Sequence, residues 1–223
     1  MKAVLISIQP KWCELIALGK KTVEVRKTRP KIEPPFKVYI YCTSGPPYLN
    51  SHNGYVYLEE CDVLGYRGQG LYKRLNTGVI GEFVCDRIDY WNHHIHDDDT
   101  ITLERASELS CVSEDDLVKY ADLGHFYAWH ISDLVIYEKP RQLFDFYKCG
   151  AESMDELSDR EELCQYCSDT GYGEYATYST PNGPVMCEGQ FCDKAYQEYL
   201  DENFALTRPP QSWCYVEGGE GGE

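Results

Sequence analysis

Residues 19–27, GKKTVEVRK, are where the chain changes from one pattern to another. The segment before them has Pro10 suited to a first helical turn, then Trp12, Leu15 and Ile16 as one helical stripe. Gly19 is a natural stop, because glycine enters the left-handed conformation of a helix C-terminus without steric cost. From Thr22 the period drops to two. Thr22, Glu24 and Arg26 then share one strand face, and Val23 and Val25 take the other. The valines belong in a core, and the polar face either meets water or lines a pocket.

Working outward, Ala3–Ile8 is a short apolar run that reads as a buried strand. Phe36–Cys42, Gly78–Trp91 and Ala128–Tyr137 read as further strands, the last ended by Pro140 before Leu143–Phe146. Ser113 with Asp116 three residues on caps a helix running to about Asp122. Residues 43–78 are rich in Gly, Tyr, Asn and Pro and read as a long loop or minor subdomain. Many strands with few helices predict an α+β domain around a curved sheet or small barrel.

The 223 residues suffice for one domain with an insertion. No run is long and apolar enough to span a membrane, and the N-terminus lacks the apolar region of a signal peptide, so the expectation is a cytoplasmic protein with no membrane partner. The formal charge of −16 is uneven: residues 1–37 carry nine Lys/Arg against three acids, a net of +6, which leaves −22 for the remainder. That balance argues against a large non-specific nucleic-acid surface but permits a local basic lip for a phosphate or nucleotide.

Residues 149–206 differ in composition, with thirteen acids and only Arg160 and Lys194 as bases. They read as an insertion, and 218–223, GGEGGE, as a disordered tail. The chain has eleven cysteines, an odd number that fits reduced thiols or metal ligands better than a disulfide framework. Within the insertion, Cys164 and Cys167 form a Cys-x2-Cys pair, and after nineteen intervening residues Cys187 and Cys192 form a Cys-x4-Cys pair. Two close thiolate pairs suit tetrahedral Zn2+ in a closed, structural site. Such a staple would hold a segment with little core of its own. Four free thiols, or a redox pair at Cys164 and Cys167, are the alternatives. His93, His94 and His96 beside Asp97–Asp99 read as a solvated polar turn.

In GVIGEFVCD, residues 78–86, Glu82 shares a strand face with Ile80 and Val84. A carboxylate on an inward face needs a cation or a hydrogen-bond donor, and Lys21 and Arg26 are the candidates. If Glu82 instead faces water, it needs neither.

The N-terminal string IQPKWCELIALGKKTVEVRKTRP resembles the opening of the ASCH domain family, with its Gly-x-Lys-x-x-Glu-x-Arg core at Gly19, Lys21, Glu24 and Arg26. GVIGEFVCDRI, YAWHISDLVIYEKPRQL and the closing RPPQSWCYV are similar to later parts of the same family, in the same order. The resemblance covers 1–148 and 207–217 and leaves 149–206 as the insertion. It implies a PUA-like fold, a small mixed β-barrel with flanking helices, and a cleft for RNA or a modified nucleoside. Some members are amidohydrolases acting on acetylated cytidine, and others are ribonucleases.

Carried onto this chain, the amidase lysine falls on Lys21 and its distal glutamate on Glu82. Its threonine position falls on Glu24, so the hydroxyl nucleophile is missing. Thr22 lies about 6–7 Å away along a strand, too far to replace it. Water activated by Glu24 or Glu82, with Lys21 as oxyanion partner, would be the remaining hydrolytic route. Trp129, His130, Gln211, Ser212 and Trp213 are further pocket candidates, with Arg26 as either a ligand contact or a structural ion pair. The expectation is a binder of RNA or a modified nucleoside through Lys21, Glu24, Arg26 and Glu82. The alternatives are an amidohydrolase, a ribonuclease, or a protein-interaction module acting through the acidic insertion.

Overall fold

The computed structural model describes residues 2–43, 78–94, 100–122, 124–151, 153, 156, 177–180, 183–186 and 193–217. The chain divides into two compact units, Met1–Leu143 with Arg208–Glu223, and Phe144–Thr207. The larger unit is α+β. Its first strand, β1 (Lys2–Ile8), is buried from its second residue onward, as a continuous apolar run requires of a central strand. It pairs in parallel with β3 (Phe36–Cys42) and antiparallel with β10 (Trp213–Glu217). With β4 (Gly78–Cys85) and β7 (Ser132–Arg141) they form a five-stranded sheet of order β10-β1-β3-β4-β7. A second sheet of three antiparallel strands has the order β2-β6-β5, from Val23–Arg26, His125–His130 and Ile88–Asn92.

The expected barrel is not closed: among the described residues the two sheets share no strand pairing. Two segments read as single strands are each broken, and each break carries the chain from one sheet to the other. Gly78–Trp91 divides into β4 and β5 at Asp86–Arg87, and the run from Ala128 divides at Ile131. Just past the second break, Asp133 takes the left-handed conformation, φ 47°. Strand β7 continues through Pro140, which an edge strand tolerates because the missing N–H can face away from the ladder. Gly81 meets β7 so closely that a Cβ there would run into the Val135 carbonyl.

Helix α1 (Pro10–Ala17) ends at Gly19 as its sequence predicts. Gly19 has φ 67°, its N–H bonds the Ile16 carbonyl and the Lys20 N–H bonds the Leu15 carbonyl, the paired closure of a Schellman motif. Helix α2 (Leu103–Ser110) was not expected. Its apolar residues are few, and its start is fixed by the Thr102 hydroxyl accepting from the Arg105 N–H at 3.2 Å. Helix α3 (Glu114–Tyr120) begins at the predicted Ser113 cap, whose hydroxyl accepts from the Asp116 N–H at 3.2 Å.

The small sheet is covered on both faces. Trp129 of β6 joins Val4, Ile6, Val38, Ile40 and Phe83 in the core between the sheets. On the other face Val23, Val25, Phe126 and Ala128 pack with Ala106, Leu117 and Ala121 of the α2–α3 region. The β2 valines are thus core residues, and Glu24 and Arg26 project from the face that looks toward the five-stranded sheet.

The smaller unit contains the hairpin β8–β9 (Thr177–Thr180, Gly183–Met186) and helix α4 (Asp193–Asn203). Tyr147 donates its hydroxyl to Asp201 at 2.7 Å and accepts from Gln197 at 2.6 Å. Cys164, Cys167, Cys187 and Cys192, the 43–78 loop apart from Thr43 and Gly78, and the 218–223 tail lie outside the described residues.

Candidate functional site

Three residues of the GKKTVEVRK stretch meet in one buried cluster. Glu24 is 6% exposed, and its two carboxylate oxygens face different cations: Oε2 lies 3.2 Å from Lys21 Nζ and Oε1 lies 3.0 Å from Arg26 Nη2. Lys21 is 2% exposed and also donates to the Ser110 carbonyl at 2.9 Å. That carbonyl belongs to the last residue of α2, where the helix dipole favours a cation. Arg26 donates from Nη2 to the Ser7 carbonyl at 2.6 Å and from Nη1 to the Ser212 hydroxyl at 3.4 Å. Its Nε–H is buried without a partner among the described residues. Ser7 in turn holds the returning chain: its N–H bonds the Ser212 carbonyl at 2.9 Å and its hydroxyl the Pro210 carbonyl at 2.6 Å.

This cluster forms part of the wall of a cleft of about 630 Å³, within the range of small-molecule sites. The end of β1, the start of α1, the β2 edge, the α2–α3 turn, α3 and Gln211 surround it. Its charged lining is Lys11, Lys21 and Arg26 against Glu24 and Asp116, a formal net of +1. Two aromatic side chains reach it. Trp12 carries the Lys11 and Lys21 ammonium groups at 4.0 and 5.1 Å from its ring centroids. Tyr120 comes from α3 and is 38% exposed. Burial pushes its hydroxyl up from the ordinary value. The Arg26 guanidinium opposes that shift.

The other predicted site residues, Gln211 and Ser212 excepted, are elsewhere. Glu82 does not line the cleft. It lies on β4 of the five-stranded sheet, where Lys37 Nζ approaches Oε1 at 2.7 Å and the Tyr137 hydroxyl donates to Oε2 at 2.5 Å. Burial alone would push its carboxyl up, but the bonds from Lys37 and Tyr137 outweigh burial and hold it below the ordinary value. Sheet assignment explains the correction: Glu82 pairs with Tyr39 of β3, which places it beside Lys37 and not beside β2.

Trp129 is fully buried and meets Phe36 edge-on at 6.0 Å, a core residue with no face for a ligand. Trp213 donates its Nε1–H to the Thr28 hydroxyl at 3.1 Å and is outside the lining, whereas Gln211 is part of it. Thr22 is exposed. His130 bonds Asp89 at 2.7 Å, with Arg87 Nη2 3.0 Å from the same ring nitrogen, and also lies off the cleft. Among the described residues no three His, Cys, Asp or Glu side chains are grouped to hold a metal.

Sequence reasoning missed Ser7, Ser110 and the cleft-lining positions of Trp12 and Tyr120. Ser7 and Ser110 contribute backbone carbonyls, which leave no side-chain signal. The adjacency of Lys11 and Trp12 at a helix start was the one cue available.

No protein-family model matches the sequence, and no curated protein matches it. Among solved structures the chain is similar to an ASCH protein from Zymomonas mobilis, at 15% identity over 91% of this chain and 96% of that one, with a TM-score of 0.38. Two single-residue variants of that protein give TM-scores of 0.39 and 0.36 at 15% and 14% identity, over 91% and 92% of this chain and 96% and 100% of theirs. TM-scores this low assign neither a fold family nor an activity. No helix among the described residues is long and apolar enough to cross a membrane.

Proposed function

We propose that this protein recognises RNA or a modified nucleoside in the cleft beside β2, as an ASCH-type domain. The observation that carries the reading is the buried Lys21–Glu24–Arg26 cluster in the wall of a nucleoside-sized cleft with two aromatic side chains. Glu24 orients both cations, and each retains donor capacity. Lys21 has three N–H groups and spends two, on Glu24 and Ser110; Arg26 keeps one Nη1–H. Such donors suit carbonyl or phosphate oxygens, and Trp12 and Tyr120 suit a planar ring.

Geometry weighs against the hydrolytic readings. Both oxygens of Glu24 are engaged by cations, and Glu82 is bound to Lys37 and Tyr137 outside the cleft. Neither carboxylate stands ready to take a proton from water beside Lys21. The test is a thermal-shift screen of nucleosides, acetylcytidine included, with product analysis on every hit. Saturable stabilisation that Lys21→Met removes, without turnover, supports the binding reading. Consumption of the ligand would replace it with the amidohydrolase.

Two further proposals concern the insertion and rest on sequence alone. Cys164, Cys167, Cys187 and Cys192 hold one structural zinc, and the acidic segment 149–206 offers a protein-binding surface. Loss of a captured partner on deleting 150–206, but not on cleft mutation, tests the latter.

A further inference from the structure

The edge of β2 away from β6 is free of strand pairing among the described residues, because β2 ends the three-stranded sheet. Which of its backbone groups point outward follows from the register. The Ile131 N–H donates to the Thr22 carbonyl at 3.0 Å, and β2 pairs with β6 antiparallel from Val23↔His130 to Arg26↔Tyr127. Hydrogen-bonded and non-bonded pairs alternate in an antiparallel ladder. The ladder bonds therefore fall on Thr22, Glu24 and Arg26, and Val23, Val25 and Lys27 turn their N–H and C=O the other way. The β5 side agrees: the His130 N–H bonds the Arg87 carbonyl, so His130, Ala128 and Phe126 turn their backbone toward β5 and leave Ile131, Trp129 and Tyr127 for β2.

Of the outward residues, Lys27 lies against Tyr120, its ammonium 5.5 Å from the ring centroid. Val23 is fully buried in the core beneath the helices. Val25 lines the cleft, and neither its N–H nor its C=O has a hydrogen-bond partner among the described residues. It is only 9% exposed, so an adjacent donor and acceptor stand at the margin of the core with no partner among the described residues.

We infer that the Val25 N–H and C=O read the hydrogen-bonding edge of a nucleobase held in the cleft. A base presents a neighbouring acceptor and donor in one plane, the complement of one outward-facing strand residue. A peptide strand fits poorly, since strand addition needs a run of such pairs. Val23, the next outward residue on one side, is wholly buried and out of reach of an added strand. The inference rests on the nucleoside reading of the cleft and specifies how that ligand is oriented: edge toward β2, with Lys21 and Arg26 left for its remaining oxygens.

The experiment has a ligand arm and a protein arm. Each of the four ribonucleosides is titrated against its counterpart methylated on the Watson–Crick ring nitrogen. The binding nucleoside is then titrated into Val25→Pro and Val25→Ala. Proline removes the N–H, which an edge strand facing away from its ladder tolerates, and alanine keeps it while losing comparable side-chain packing. The expected result is at least a tenfold loss of affinity for the methylated base, and a similar loss in Val25→Pro but not in Val25→Ala. Equal affinity for the parent and methylated nucleosides overturns the inference while leaving the nucleoside cleft standing, as does equal binding by folded Val25→Pro and Val25→Ala. If Val25→Pro fails to fold, the ligand arm decides alone. If no nucleoside binds, the proposed function falls and the inference falls with it.

Discussion

Replacing Glu24 with glutamine tests the physics of the site directly. The substitution keeps the side-chain volume and removes the carboxylate that stands between two cations, one of them 2% exposed. Breaking a buried ion pair from one side costs about 3–5 kcal/mol, because the remaining charge stays buried and uncompensated. Lys21 keeps the Ser110 carbonyl and Arg26 keeps the Ser7 carbonyl, which places the cost near the lower bound, about 3 kcal/mol. For a domain of this size that lowers the melting temperature by about 6–12 °C. Lys21→Met should cost less, since Glu24 retains Arg26 and a buried ammonium is removed. The double variant should then be less destabilised than the sum of the single ones, because the coupled partner is gone. The assay is thermal unfolding followed by circular dichroism at pH 7, with urea denaturation as a second measure. A Glu24→Gln melting temperature within about 2 °C of the parent, on the same size scaling, would refute a carboxylate buried between two cations.

Other expectations are narrower. Tyr137→Phe removes the donor to Glu82 Oε2 and should cost about 1 kcal/mol by urea denaturation, less than for a fully buried charged acceptor because the pair is partly solvated. The Glu82 carboxyl lies below its ordinary value when folded, so its stabilisation is complete above the unfolded carboxylate value, near pH ~4.3, and is lost as pH falls through the lower folded value. Stability-against-pH curves for Tyr137→Phe and Lys37→Met should therefore show a smaller loss on acidification than the parent. Gly81→Ala forces a Cβ against the Val135 carbonyl and should destabilise by about 2 kcal/mol or more in the same urea assay. Elemental analysis should find one zinc per chain, abolished by Cys164→Ser with Cys167→Ser; metal-free protein with an intact 150–206 segment would remove the zinc proposal.

What could be read from the sequence was local. The Gly19 stop, the Ser113 cap and the alternation through Val23–Arg26 depend on neighbours a few residues apart, and all three are found as read. Barrel closure depends on which edges meet after the chain changes sheets, and nothing in AWHISDLVIY marks the break at Ile131. Glu82 carries the same lesson. Alternation indicated that its face would need partners, but the partner was set by antiparallel register with β3, which brought Lys37 to it. Helix α2 was missed because LERASELS is polar overall, although Leu103, Ala106 and Leu109 share one helical face behind the Thr102 cap. Within the site, Lys21, Glu24 and Arg26 were recognisable as a group. Their anchors, the Ser7 and Ser110 carbonyls, were not, since any residue type supplies a carbonyl.

The returning segment before β10 has a consequence for the nascent chain. Arg26 and Ser7 are fixed by Ser212 and Pro210, which follow Arg26 by 186 positions and Ser7 by 203. During synthesis β1, α1 and β2 emerge early, but the wall that holds the arginine is complete only when Pro210–Ser212 have left the ribosome. Until then the arginine lacks one of its holders and the cleft wall is unfinished. Completion of the wall is therefore a late event for this chain: one stopped within 149–206 would hold β1, β3, β4 and β7 without the segment that fixes Arg26 and Ser7.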